Sequence, residues 1–435
     1  MLIRFALPVI GGNLFQLFYT LADSIIVGRM LGADALAAVG STSIVVYLVL
    51  CFIQGVSGGF GICMGQRFGA GDDDAMRRSA ATSWLLTVLF SIILTIPGCL
   101  LTRPILHWMQ TPATIEQDAY DYLFVILAGT GATFFYNTIS NLLRALGDSR
   151  TPLIYLVVSS LGNIVLDVLF IGPLGLGVAG AAWATVLSQL IAAILSTVVG
   201  TRRYSVLRGG RIEKAQRLPE IAAHLRVGFP MGFQMSVMCI GQLAMQTAVN
   251  ALGAAAIAGY TAATKVDQFS VLINNAFGIT IANYAAQNYG ARSYGRIRSG
   301  VRASLLQIGC ANVFMLALML ICRRQVVALF IDNPTEEIIR YATGYFTAVA
   351  PFYPLLGLLL VYRSTVQSMD DNRSPFAACI IELVMRLACT AGLARLMGYT
   401  GVCLASPLAW VGAVTLLIPV YYRRIGRLCR ATETA

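Results

Sequence analysis

Charge is scarce in this chain. Only 12% of its 435 residues are Asp, Glu, Lys or Arg, while 57% are hydrophobic. A water-soluble domain carries roughly 25% charged residues, so a fold of this size has too little polar surface here to coat itself in water. Histidine is scarcer still, with His107 and His224 alone. The ten cysteines are scattered through apolar runs with no Cys-x-x-Cys pair, which argues against a zinc site or a disulfide framework. No His-Glu-x-x-His and no P-loop occurs, so metal-assisted hydrolysis and ATP-driven pumping lack candidate residues.

What the chain does have is long apolar runs. They exceed the ~20 residues that a spanning helix needs and are broken by Gly and Arg, which excludes a membrane β-barrel and predicts a helical bundle. The first run, Phe5 to Leu31, contains Asn13, Gln16 and Asp23 and reads as a span rather than a cleaved leader. Twelve spans are expected, near residues 5–31, 35–64, 79–102, 119–143, 152–172 and 177–200, then 226–251, 255–286, 299–322, 340–362, 374–395 and 401–422. The net charge of +11 does not indicate nucleic acid, because the basic residues lie between spans and are not interleaved with aromatics on one face. With the N-terminus inside, Arg4 and the arginine-bearing segments (around Arg67, Arg77 and Arg78, Arg144 and Arg150, Arg202 to Arg226, Arg292 to Arg302, Arg363 and Arg373, and Arg423 to Arg430) all fall on the inner side. The outer side keeps Arg29, Arg103, Arg323, Arg324, Arg340 and Arg395. This asymmetry predicts a multi-pass protein of the bacterial cytoplasmic membrane with both termini cytoplasmic; a monomer is expected.

The two sets of six spans repeat. Pro8 precedes Pro230 by 222 residues, "GADALAAVG" at Gly32 echoes "GAAAIAGYT" at Gly253, and "SRTP" at Ser149 echoes "NRSP" at Asn372. The organisation expected is a six-helix lobe over 1–200, a cytoplasmic linker over 201–225, a second six-helix lobe over 226–422 and a tail over 423–435. Six helices per half, both starting on one side, make a parallel repeat of the kind that secondary transporters use.

Charged and amide side chains inside a bilayer need a reason. On the first span Asn13, Gln16, Thr20 and Asp23 share one helical face, and on the fifth Ser160, Asn163 and Asp167 do the same. With Thr185 from the sixth, these oxygens suit Na⁺ or a shared proton. Neither Asp23 nor Asp167 has a basic residue within a turn, and their counterparts in the second half are not acidic. Asn137 and Asn141 either line a cavity or tie helices together, and the same alternatives hold for Gln242 and Gln246. Lys265 and Asp267 are candidates for the second half's cavity, while Glu382 and Arg386, one turn apart, are expected to neutralise each other. Aromatics such as Tyr136, Phe15, Phe18 and Tyr260 offer cation-π faces. The run Asp72 to Asp74 sits beside Arg77 and Arg78 and reads as a solvated, self-paired loop.

Taken together, "ALPVIGGNLFQLFYTLADSIIVGRMLGADALAAVG" (Ala6 to Gly40), "GQRFGAGD" (Gly65 to Asp72), "LLRALGDSRTP" (Leu142 to Pro152) and "NIVLD" (Asn163 to Asp167) resemble the multidrug and toxic compound extrusion (MATE) family, in its bacterial DinF-like and MepA-like branch. The resemblance implies export of cationic amphipathic compounds in exchange for H⁺ or Na⁺, with no cofactor besides the coupling ion. It implies a first-lobe cation site at Asp23, Asn163, Asp167 and Thr185, which would also be the Na⁺ ligands. It makes Pro8 the counterpart of a proline at which the first helix bends. Acids that some members carry on helices 7 and 10 are missing here, where Gln242 and Gln246 stand. Two alternatives differ in kind: a flippase for lipid-linked precursors, and an intramembrane enzyme built around Asp72 to Asp74.

Overall fold

The computed structural model describes residues 2–210, 212–321, 325 and 335–433, and among these it contains helices and no strand. In chain order the helices are α1 (Leu2–Leu31), α2 (Ala33–Ala70), α3 (Asp73–Trp108), α4 (Glu116–Ala128), α5 (Thr130–Ala145), α6 (Arg150–Ile171) and α7 (Gly177–Arg203). They continue with α8 (Lys214–Asn250), α9 (Ala254–Gly290), α10 (Tyr294–Ile321), α11 (Glu336–Val349), α12 (Tyr353–Ser368), α13 (Arg373–Met397) and α14 (Tyr399–Glu433). Ten helices or joined helices are long and apolar enough to cross a bilayer, and the bent pair α4 and α5 makes eleven. The repeat supplies the twelfth in α9, which stands where α2 stands in the first half. Residues such as Leu100, Leu306 and Ile321 lie at least 71% exposed, as expected of side chains whose solvent is lipid.

Two expected spans are broken, each for a local reason. The span over 119–143 bends by 43° between α4 and α5 at Gly129. A Cβ there would lie 2.1 Å from Val186 Cγ2, so α7 presses directly on the backbone at the break. The span over 340–362 is interrupted by a 3-10 turn, Ala350–Phe352, with Pro351 and Pro354 each opening a helical segment. The last helix does not stop at residue 422 but runs on to Glu433.

The chain divides into two compact units within α8, between Phe233 and Gln234, and not in the polar stretch 201–225. Within that stretch α7 ends at Arg203, Ser205–Arg208 form a 3-10 turn to which the Trp84 indole donates at Leu207 O (3.0 Å), and α8 is already helical at Lys214. The foot of α8 therefore packs inside the first half. Ile221 and Leu225 lie against a cluster of Ile53, Val56, Phe60, Leu86, Phe90 and Phe134. The two backbones meet through glycines four apart on both helices. A Cβ on Gly59 would lie 2.4 Å from Gly228 Cα, and one on Gly55 would lie 2.4 Å from Met231 O. Without a hydrophobic drive between helices in lipid, such close approach is what supplies packing energy. Polar groups finish the contact: Arg67 donates to Glu220 at 2.5 Å, and buried His224 bonds Ser79 Oγ at 2.9 Å.

The repeated loop motif also has a cause. Asp148 accepts the Thr151 amide and hydroxyl and pairs with Arg203, while Asp371 accepts the Ser374 amide and hydroxyl and lies 3.9 Å from Arg424. Each aspartate caps the fifth span of its half and ties it to the sixth.

Gly59→Val is expected to cost about 1–3 kcal/mol or more through overpacking against backbone. Gly40→Ala, with nothing within 4 Å of the new Cβ, should be neutral or slightly stabilising. Thermal unfolding of the two purified variants checks the contrast.

Candidate functional site

Within the first half α1 brings Asp23, and α6 brings Asn163 and Asp167, to one buried place. Asp23 is 7% exposed, and Asn163 and Asp167 are fully buried. Asn163 and Asp167 are one helical turn apart, so both face α1. The carboxyls of Asp23 and Asp167 lie within interaction range of one another. Both are acceptors when ionised, so they can bond each other only if one carries a proton, and two negative charges together require a bound cation. Asp23 Oδ1, both Asp167 oxygens and both polar atoms of Asn163 are buried with no hydrogen-bond partner among the described residues. Orphaned oxygens of this kind fit a proton or a hard cation such as Na⁺. Thr185, half-buried on α7, completes the expected set, and Gln16 lies half-buried two turns before Asp23.

Three members of this neighbourhood escaped the spacing of acids and amides. Tyr19 stands one turn before Asp23 and lies near Gln189 of α7, and Tyr122 of α4 lies within electrostatic reach of Tyr19 and both aspartates. Tyr19 lies on the Asp23 stripe of α1, which was its one sequence signal. Nothing in the sequence ties Tyr122 to that stripe.

The other expected cavity residues scatter. The Tyr136 hydroxyl donates to Pro152 O at 3.2 Å and its ring is buried between α5 and α6, so it packs rather than offering a cation-π face. Asn137 donates to Thr133 O and Asn141 donates to Ser57 Oγ at 3.1 Å, which ties α5 to α2. Gln246 bonds Asn250 on its own helix, Gln242 and Lys265 are exposed, and Asp267 accepts from the Tyr353 hydroxyl at 2.6 Å. Glu382 does pair with Arg386 at 2.7 Å, but its second oxygen takes Arg363 at 2.6 Å. Arg363, expected at the inner face, thus reaches into the bundle, and Glu382 at 2% exposure lines no open cavity. The bundle is accordingly less acidic than its sequence suggests.

The enzyme alternatives lose their residues. Asp72 caps α3 by accepting the Ala75 amide at 2.8 Å. Gly55 to Gly59 spell Gly-x-Ser-x-Gly, yet Ser57 sits in mid-helix and its hydroxyl donates to Ile53 O, without the strand-turn-helix that a nucleophile needs. Among the described residues no three His, Cys, Asp or Glu side chains gather as metal ligands.

Two repeated six-span halves with a buried carboxyl pair in one of them define a polytopic membrane transporter. The MatE family pattern matches residues 8–169 and again 230–391, and the chain belongs to that family. The two matches start 222 residues apart, which is the offset of Pro8 and Pro230. A probable multidrug resistance protein, YpnP, of Bacillus subtilis is 29% identical over 402 residues, covering 92% of this chain and 89% of that protein. A probable multidrug resistance protein, NorM, of Thermotoga maritima is 33% identical over 317 residues, covering 70% and 67%. A crystal structure titled as MATE in the bent conformation superposes with a TM-score of 0.91 at 22% identity, covering 99% of this chain and 96% of that one. That likeness carries the fold.

Replacing either aspartate by asparagine gives the remaining carboxyl an amide donor and removes one of two facing like charges. Asp23→Asn and Asp167→Asn are therefore expected to unfold at the same or a higher temperature than the parent while losing coupled transport, the usual trade between a strained site and stability. A marked loss of thermal stability in both would contradict a charge-strained pair.

Proposed function

We propose that this transporter exports amphipathic organic cations in exchange for H⁺ or Na⁺. The observation that carries the proposal is the buried pair Asp23 and Asp167, whose oxygens lack partners and whose bonding demands a proton or a cation. The names of the Bacillus and Thermotoga relatives as probable multidrug resistance proteins support the cargo class. In this proposal Asn163 and Thr185 add neutral oxygens to the ion, Tyr19 and Tyr122 wall the site, and Pro8 within α1 lets that helix bend as the ion arrives.

Exchange requires that ion and cargo prefer different states or compete for one site, because a ligand shifts an equilibrium only by its differential affinity. Carboxyls that bind either H⁺ or Na⁺ and also attract a cationic cargo provide that competition. The clustering of arginines at one set of helix ends supports a cytoplasmic-membrane protein with both termini inside.

The test is efflux of a fluorescent organic cation from proteoliposomes, first under a pH gradient alone and then under a Na⁺ gradient alone. Efflux under one of these, lost in Asp23→Asn and Asp167→Asn, is expected. Dye retained under both gradients would sink the proposal and leave a lipid-linked precursor as the cargo to try next.

A further inference from the structure

The second half contains a charge arrangement that ion exchange does not use. Arg363 of α12 and Arg386 of α13 share the single carboxylate of Glu382, and the three are 3%, 5% and 2% exposed. Among the described residues Glu382 is the one acid in ion-pair contact with either guanidinium. The triad therefore holds one uncompensated positive charge away from water.

Its donors are also incompletely matched. Among the described residues Arg363 Nε and Arg386 Nε are buried with no partner, and Arg363 Nη1 meets the Met238 thioether at 3.6 Å. Arg386 lies against bare backbone, since a Cβ on Gly241 would come within 3.1 Å of its Cδ and Nη1. Around the triad the neutral groups Cys379, Gln234 and Gln367 bond among themselves, the Cys379 thiol to Gln234 O and Gln367 to the Gln234 side chain. They leave the arginines' free N–H groups to another acceptor. Asp267, another acid of this half, is held by Tyr353. A guanidinium fork that lacks an acceptor is the geometry that binds a carboxylate or a halide.

We propose that Arg363 and Arg386 form an anion site, taking one carboxylate group or halide ion beside Glu382. The site rests on the second half alone and does not depend on the cation-export proposal.

Equilibrium binding tests it on the purified full-length protein. Thermal unfolding is followed in sodium isethionate, whose anion is neither a carboxylate nor a halide, and in chloride and acetate, at equal ionic strength and fixed pH. Chloride or acetate is expected to raise the unfolding temperature saturably over isethionate. Arg363→Gln should weaken that response by about tenfold or more, since it removes one fork of the site. If Arg363→Gln does not fold, Arg363→Lys keeps the charge without the fork and should weaken the response in the same direction. Competition of naphthoate with acetate, together with naphthoate uptake into proteoliposomes, would mark the anion as part of a cargo. Acetate binding without naphthoate competition would mark it as a free resident ion. Identical, non-saturable responses to all three salts in the parent, or a saturable response that Arg363→Gln and Arg363→Lys leave unchanged, would overturn the site.

Discussion

A charge inside a bilayer must find its opposite, and the two halves of this chain meet that requirement in opposite ways. Among the described residues the first half sets two buried carboxyls together with no base paired to them, so their charge is balanced only by a proton or a bound cation. The second half sets two guanidiniums around one carboxylate, so there the shortfall is negative. Duplication produced two copies of one helix plan, and the copies have diverged in the sign of what they lack. The helix plan itself places few demands on charge, which is why the divergence leaves the repeat intact.

The packing that holds these charges is built from small residues. In lipid an apolar side chain gains little by leaving solvent, so helices adhere through contact area and through polar groups that have no water to turn to. Gly55 and Gly59 against Gly228 and Gly232 show the first device, and the reciprocal amides of Asn274 and Asn312, at 2.8 and 3.0 Å, show the second. Neither has a copy at the matching place in the other half. Gly228 and Gly232 correspond to Ala6 and Ile10 at the repeat offset, so α1, which carries Asp23, lacks the glycines that fix α8.

Much of this was legible in the sequence because lipid imposes simple rules. Long apolar runs predicted the helices, and a three-four spacing put Asp23 on one face of α1 and Asn163 with Asp167 on one face of α6. What remained hidden depends on contacts between distant segments. Arg363 lies near a helix end and reads as an inner-face charge until Glu382, on the next helix, is seen to accept it. Tyr136 reads as an available ring until its hydroxyl is found on Pro152 O. The bend at Gly129 comes from Val186, more than fifty residues later. In the sequence Lys214 to Leu225 look like a linker because they are polar, yet the last turn of that stretch, with half-buried Glu220 and buried His224, bonds α2 and α3.

Residues 226–233 of α8 belong to the second sequence repeat but fold with the first half. Sequence unit and folding unit are thus out of step by a short stretch of one helix, as in proteins that exchange a terminal element with a partner. Here the exchange is within one chain, which makes the connection self-clasping. A gene cut at the repeat boundary would separate two pieces that are each incomplete: the first would expose the bare groove at Gly55 and Gly59, and the second would carry a helix end with nowhere to lie.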